Sequence, residues 1–198
     1  MDELDLLERW RNGDKLAEDQ LLRRYFDVFY RFFANKVSGD VDDLVQQTIT
    51  ALVKSRDNFE RRSSFRAYAL SIARFQLYEF VRARKRVSSL FEYDSISAFD
   101  LSPSPSALAA EYHQNTLLLE ALRRIPLSFQ VALELHYWEE LSGPELAEVL
   151  GVPVDTVYSR LRKARALVKE QLSALAGLAA PQRQSARWDH ELRLVSRR

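Results

Sequence analysis

Apolar residues recur every three or four positions along most of this chain, and no stretch alternates convincingly at every second position. That spacing predicts helices over residues 2–12, 14–37, 40–55 and 64–86, and again over 107–124, 126–138, 143–150 and 153–175. Between the two groups lies VSSLFEYDSISAFDLSPSPSALAA. It is rich in Ser, contains Pro103 and Pro105, and carries Glu92, Asp94 and Asp100 but no basic residue. Such a stretch reads as an extended linker. The expected class is all-α: two small helical domains over 1–87 and 111–175, an acidic flexible linker over 88–110, and a C-terminal extension over 176–198. No internal repeat is evident.

The sharpest local pattern is SGPELAEVLGVPVDTVYSRLRKAR, residues 142–165. Ser142 and Glu145 have the spacing of a capping box, and Pro144 is tolerated in a first helical turn. Leu146, Ala147, Val149 and Leu150 form an apolar stripe. Gly151 stops the helix, since glycine enters the left-handed region at little cost. Pro153 opens a second helix. At about 100° per residue, Val157, Leu161, Ala164, Val168 and Leu172 fall on one side of it. Asp155, Ser159, Arg162, Lys163 and Ala166 fall on the other, with Thr156, Tyr158, Arg160 and Arg165 on the flanks. Two short helices around a tight turn, one face apolar and the other basic, make a helix-turn-helix and point to duplex DNA. The outer residues would meet base edges and the flanking ones phosphates. The plainer alternative is a solvated basic helix of an ordinary bundle.

Composition narrows the choice. The 198 residues suffice for one large or two small domains, and no apolar run is long enough for a membrane span. The start, MDELDLLERWRNGD, is acidic and amphipathic, unlike a signal peptide. The absence of cysteine excludes disulfides and thiolate metal sites and suits a cytoplasmic protein. The three histidines, His113, His136 and His190, are far apart, and no glycine loop is built to cradle phosphate. No catalytic constellation emerges, so the expectation is a non-enzyme with no cofactor and no metal. The formal net charge of +1 hides segregation: residues 1–43 are acidic, 44–87 strongly basic, 88–152 acidic and 153–198 basic. Two basic blocks separated by an acidic one suggest two nucleic-acid contacts on one chain.

Two features mark the first half. In DVDDLVQQTITALV, Asp42 and Asp43 stand at a helix start, where carboxylates complement the macrodipole. Leu44, Ile49, Leu52 and Val53 can face inward, leaving Asp43, Gln46, Gln47 and Thr50 for a partner. An ordinary capped surface helix would look much the same. In FERRSSFRAYALSIARFQLYEFVRARKR, residues 59–86, aromatic rings and arginines interleave. Rings can stack exposed bases while arginines follow the backbone of a single strand. Most of these rings belong in a core, and one or two are expected to be free.

Taken together, these three segments resemble an extracytoplasmic-function (group IV) sigma factor of bacterial RNA polymerase. DVDDLVQQT is similar to the family's D-x-x-D-L-x-Q-x-T motif of region two. FRAYALSIARFQLYEFVRARKR is similar to its F-R-x-W-L-x-x-I-A-R-N stretch and the basic run that follows. SGPELAEVLGVPVDTVYSRLRKAR is similar to its region-four helix-turn-helix. The likeness spans residues 4–174 in order and spacing. This chain departs from the pattern at Tyr68 (family Trp), Phe75 (Asn), Glu79 (Asp) and Asp155 (Gly).

The resemblance implies a transcription-initiation subunit. Its partners would be core RNA polymerase, through the beta-prime clamp and beta flap, promoter DNA, and an anti-sigma factor. Asp42, Asp43, Leu44, Gln46, Gln47 and Thr50 would meet core polymerase. Asn58, Phe59, Arg61, Arg62, Ser64, Phe65, Arg74, Phe75, Tyr78, Arg82 and Arg86 would recognise and melt the −10 element. Asp155, Thr156, Tyr158, Ser159, Arg160, Arg162, Lys163 and Arg165 would contact the −35 element. The competing reading is a stand-alone helix-turn-helix regulator, whose first half would sense a ligand or dimerise. In the extension, Trp188, Leu192 and Val195 could line a short helix that docks on the domains, or the segment could be a disordered basic tail.

Overall fold

The computed structural model describes residues 2–85, 96–101 and 116–179. Nine α-helices follow one another there: α1 (Glu3–Arg11), α2 (Lys15–Ala34), α3 (Val41–Ser55), α4 (Phe65–Lys85), α5 (Ala98–Leu101), α6 (Thr116–Arg124), α7 (Leu127–Tyr137), α8 (Gly143–Leu150) and α9 (Val154–Ala179). A single 3-10 turn, Arg56–Asn58, follows α3. Among the described residues there is no strand, only an isolated bridge between Ser97 and Pro126. The all-α expectation holds.

Helices α1–α4 form the first bundle. Asp14 starts α2 by accepting hydrogen bonds from the backbone N–H groups of Leu16 and Ala17. Arg9 donates to the same carboxylate at 2.7 and 2.9 Å and holds it below its ordinary pKa, with the two backbone donors helping. The bundle core is aromatic. Tyr25 meets Phe65 edge-on at 5.4 Å, and Phe59 meets Phe65 at 5.3 Å. Burial, reinforced by the neighbouring Glu3 carboxylate, pushes the Tyr25 hydroxyl well above its usual range. Asp40, just before α3, pairs with Arg84 near the end of α4 at 2.8 Å and ties the bundle's last two helices together.

The second bundle is built by α6–α9 around Leu122, Leu133, Leu146, Val157, Leu161 and Val168, all buried. The long α9 packs against each of α6, α7 and α8. Part of the expected linker is structured. The Ile96 carbonyl accepts from the Leu127 N–H at 2.7 Å, and α5 packs on α6 with Ala98 buried. Its local composition reads as loop, but four residues of helix are held there by tertiary contacts. The rest of that stretch and the tail stripe of Trp188, Leu192 and Val195 lie outside the described residues.

The capping box at α8 forms as its spacing predicts. Ser142 accepts from the Glu145 N–H, and the Glu145 side chain accepts from the Ser142 N–H at 2.9 Å. Gly151 ends α8 at φ +67°. Replacing Ser142 by Ala is expected to lower unfolding stability by about 1 kcal/mol through loss of the cap. Replacing Gly151 by Ala should cost about 1–2 kcal/mol, because a Cβ is strained in the left-handed region. Urea titrations of the two variants measure both.

Candidate nucleic-acid interface

The candidate recognition helix is the N-terminal half of α9. Val157, Leu161, Ala164 and Val168 are buried against α6–α8, and Leu172 is half-buried. Asp155, Ser159, Arg162, Lys163 and Ala166 are exposed, while Thr156, Arg160 and Arg165 are partly covered. The split of faces is the one the periodicity predicts. Two side chains are pre-positioned: Arg165 donates through Nε to the Leu161 carbonyl at 3.2 Å, and Lys163 Nζ stands 5.1 Å over the Phe129 ring.

By its spacing Tyr158 is a flanking residue of α9. Its ring is 52% exposed and lies across the start of α8. A Cβ at Gly143 would stand 2.5 Å from the Tyr158 hydroxyl oxygen, so this glycine makes room for the ring. Nothing in the local spacing announces that contact, since it joins two helices.

In the first bundle, α4 and the loop before it carry the second candidate surface. Phe75 is 60% exposed and is the free ring the interleaved pattern anticipates. Phe59, Phe65 and Tyr78 are buried, and their role is to hold the surface rather than to present a face. Arg74 stacks on Tyr78, its guanidinium carbon 4.5 Å from the ring centre. Arg82 is exposed and pairs with Glu79 one turn earlier. In the loop, Asn58, Arg61 and Arg62 are exposed and Ser64 is half-buried. Arg61 has φ +58°, unusual for a residue with a side chain. Arg11 fixes the loop by donating to the carbonyls of Arg56 and Phe59 at 2.7 and 3.0 Å. Tyr68 donates its hydroxyl to the Ser55 carbonyl at 2.7 Å. Arg86 lies outside the described residues.

The third surface is on α3. Asp42, Asp43, Gln46, Gln47 and Thr50 are exposed along one side. Leu44 is buried, so it supports this surface from within. Val53, expected inside, is partly exposed.

Arg31, Arg66, Glu139 and Glu145, none of them singled out as site candidates, connect the bundles together with the candidates Ser64 and Arg74. Arg66 of α4 pairs with Glu139, which Arg31 also approaches at 3.9 Å. Burial disfavours the Arg66 charge, but Glu139 outweighs that and raises its pKa. Ser64 donates to Glu145, and Arg74 donates to the Val149 carbonyl at 3.3 Å. For Glu145 burial alone would raise the pKa; hydrogen bonds from Ser142 and Ser64 prevail and hold it low. Between α3, α4 and α8 an open groove of about 500 Å³ remains, lined by Ser55, Ile72, Phe75 and Glu148 among others. Among the described residues no helix is long and apolar enough to cross a membrane.

Two family models match the segments that carry these candidate surfaces. The family model "Sigma-70 region 2" matches residues 19–87, which hold the α3 and α4 surfaces. "Sigma-70, region 4" matches residues 116–168, which hold the helix-turn-helix. The ECF RNA polymerase sigma-E factors of Escherichia coli (strain K12) and Salmonella typhi are each 28% identical over 179 residues, covering 86% of this chain and 94% of theirs. That of Haemophilus influenzae is 24% identical over 181 residues, covering 86% of this chain and 95% of its own. Among solved structures, CnrH in complex with the cytosolic domain of CnrY is similar, with a TM-score of 0.60, 25% identity, and coverage of 90% of this chain and 99% of that one. The fold is shared with the sigma factor RpoE of Bartonella quintana, solved with the anti-sigma factor NepR: TM-score 0.58, 22% identity, coverage 81% and 97%. With both conserved regions matched in order and carried on the helices described, the chain belongs to the sigma-70 family of RNA polymerase sigma factors, in its extracytoplasmic-function branch.

Proposed function

We propose that this sigma factor divides promoter recognition among its three surfaces, with α9 reading the −35 duplex, α4 and its preceding loop taking the −10 strand, and α3 docking on core polymerase. The observation that carries the −35 reading is α9 itself: a helix rigidly seated on three others, with Arg162 and Lys163 presented outward and Arg160 and Arg165 on its shoulders. Outward residues of a recognition helix reach base edges, and shoulder residues reach phosphates. Tyr158, lying over the α8 N-terminus, serves the same docking. On α4 the free ring of Phe75 offers a stacking platform, flanked by Arg82 and by the loop arginines Arg61 and Arg62. On α3 the exposed carboxylates and amides of Asp42, Asp43, Gln46, Gln47 and Thr50 suit a polar docking surface on the beta-prime clamp, and region four would approach the beta flap. An anti-sigma factor is a further expected partner, as it is for the Bartonella quintana sigma factor. The chemistry needs no cofactor, and the chain acts by binding rather than by catalysis.

Three outcomes test this division. Arg162→Ala should weaken binding of the cognate −35 duplex by about 1–3 kcal/mol and relax base preference. Arg160→Ala and Arg165→Ala should instead weaken all duplexes alike and reduce the salt slope by about one. Fluorescence anisotropy at several salt concentrations separates the two patterns, and unaltered discrimination by the Arg162 variant would refute the face assignment.

Asp43→Arg combined with Gln47→Arg should prevent co-purification with core polymerase. Both residues are exposed, so helicity should be unchanged. Retained holoenzyme would remove α3 from the interface.

Phe75→Ala should lower open-complex yield in holoenzyme by the equivalent of about 1–3 kcal/mol, the worth of one stacked base. Core affinity should not move. Permanganate footprinting of the melted strand reads the effect, and unchanged melting would mean that Phe75 stacks no base.

A further inference from the structure

The loop between α3 and α4, residues 56–64, is polar apart from Phe59, and much of its shape is imposed from outside. On one side α1 supplies Arg11. Its Nη2 donates to two loop carbonyls, that of Arg56 at 2.7 Å and that of Phe59 at 3.0 Å, and its Nε stands 3.6 Å from the Asp57 carboxylate. Arg56 returns the contact: it donates to the Trp10 carbonyl at 3.2 Å and lies over the Trp10 ring at 5.2 Å. On the other side Tyr68 of α4 donates to the Ser55 carbonyl at 2.7 Å, and the Phe59 ring is pinned between Phe65 and Tyr68, each centre 5.3 Å away. All of these contacts lie within the first bundle.

Arg61 shows what the support is for. Its φ of +58° is a conformation that a residue with a Cβ holds only where its surroundings enforce it, and residues held in this way gather at binding sites. Its guanidinium is taken by Glu8, which lies three residues before Arg11 on the same side of α1. Both ends of that pair reach the surface, so it adds little to stability. Its effect is on direction: it aims one cation of the loop. The opposite side of α1, Leu6, Leu7 and Trp10, is buried in the bundle core, so the helix that offers Glu8 and Arg11 is itself firmly seated.

We infer that α1 is the template of the −10 loop: Arg11 and Glu8 are positioning residues that set which bases an unpaired strand can place against the loop, without touching the strand themselves. The inference rests on the assignment of this loop to the −10 strand given above. A slack loop would rearrange around many bases, and each fit would cost the ordering of its backbone. A loop tied at the carbonyls of Ser55, Arg56 and Phe59 offers every base one shape. A wrong base is then met by a misfit that the loop cannot relieve, and the penalty is read as selectivity. Because Arg11 binds backbone carbonyls, it leaves the exposed side chain of Asn58 to the strand.

Holoenzyme assembled from core polymerase and the full chain can be offered single-stranded DNA with a randomised segment. The best retained sequence and its single-base variants then give a ratio of affinities. Arg11→Met keeps an unbranched side chain but donates no hydrogen bond. It should lower the ratio about fivefold by loosening the loop, with core affinity, helicity and binding of −35 duplex unchanged. Equal weakening of every strand would mean that Arg11 only stabilises the bundle, and that result, like an unchanged ratio, overturns the inference.

Glu8→Gln covers the case in which Arg11→Met fails to fold, since Glu8 and Arg61 both lie at the surface. It should lower the ratio about twofold while tightening the hold on all strands, because one acidic charge beside a polyanion is gone. An unchanged ratio there also overturns the inference. Asn58→Ala with Arg62→Ala reads the loop assignment itself. If that pair leaves the ratio intact, the loop reads no base, and the assignment falls together with the inference. If the pair lowers the ratio and Arg11→Met does not, the inference alone fails.

Discussion

A lysine with no surface in water governs how the two halves of this molecule sit. Burial works to depress the Lys36 ammonium, and Glu134 works to keep it charged; burial prevails and leaves its pKa below the ordinary value. An isolated buried charge would be intolerable, so the position of Lys36 dictates that α7 must bring Glu134 to it. Glu134 in turn requires Asn35 and Gln130 to satisfy its oxygens, and Asn35 offers its carbonyl to Arg123. The relative placement of α2, α6 and α7 follows from this chain of obligations. Hydrophobic contact alone would not fix it, because apolar surfaces can slide and hydrogen-bonded ions cannot.

The segregation of charge along the sequence takes on a structural meaning in this light. The acidic block that precedes the recognition helix contains Glu134, Glu139 and Glu145, and all three face the first bundle. Two of them are met by Arg66 of the basic α4 and by Ser64 just before that helix. A chain built only to present two basic surfaces to DNA would have no reason to place acids there. The pattern looks like two DNA contacts in sequence, and in space it is also a self-complementary pair.

What was legible in the sequence was what neighbours in the chain determine. The capping box of Ser142 and Glu145, the stop at Gly151, and the inward stripe of Val157, Leu161, Ala164 and Val168 all depend on spacings of a few residues. The helix bounds follow from the same signal. Contacts between distant segments left no comparable trace. Lys36 and Arg123 look like any surface cations, and Leu44 reads as part of a docking motif although it is core. The stretch from Ile96 to Leu101 has a linker's composition but is pinned by the Leu127 N–H and by Arg123. Tyr158 resting on Gly143 belongs to the same class: each residue is ordinary by itself, and only their meeting is informative.

The two proposed nucleic-acid surfaces differ in how they are built. The reading face of α9 is preorganised. Its opposite side is the core of the second bundle, so a duplex meets a helix that has nowhere to move and pays little for ordering it. The surface on α4 is equally rigid in its backbone, since Phe59, Phe65 and Tyr78 anchor it, but several of its polar groups are already engaged by Glu139, Glu145 and the Val149 carbonyl. Under the proposed assignment, a strand on α4 would compete with those partners for Arg66, Ser64 and Arg74.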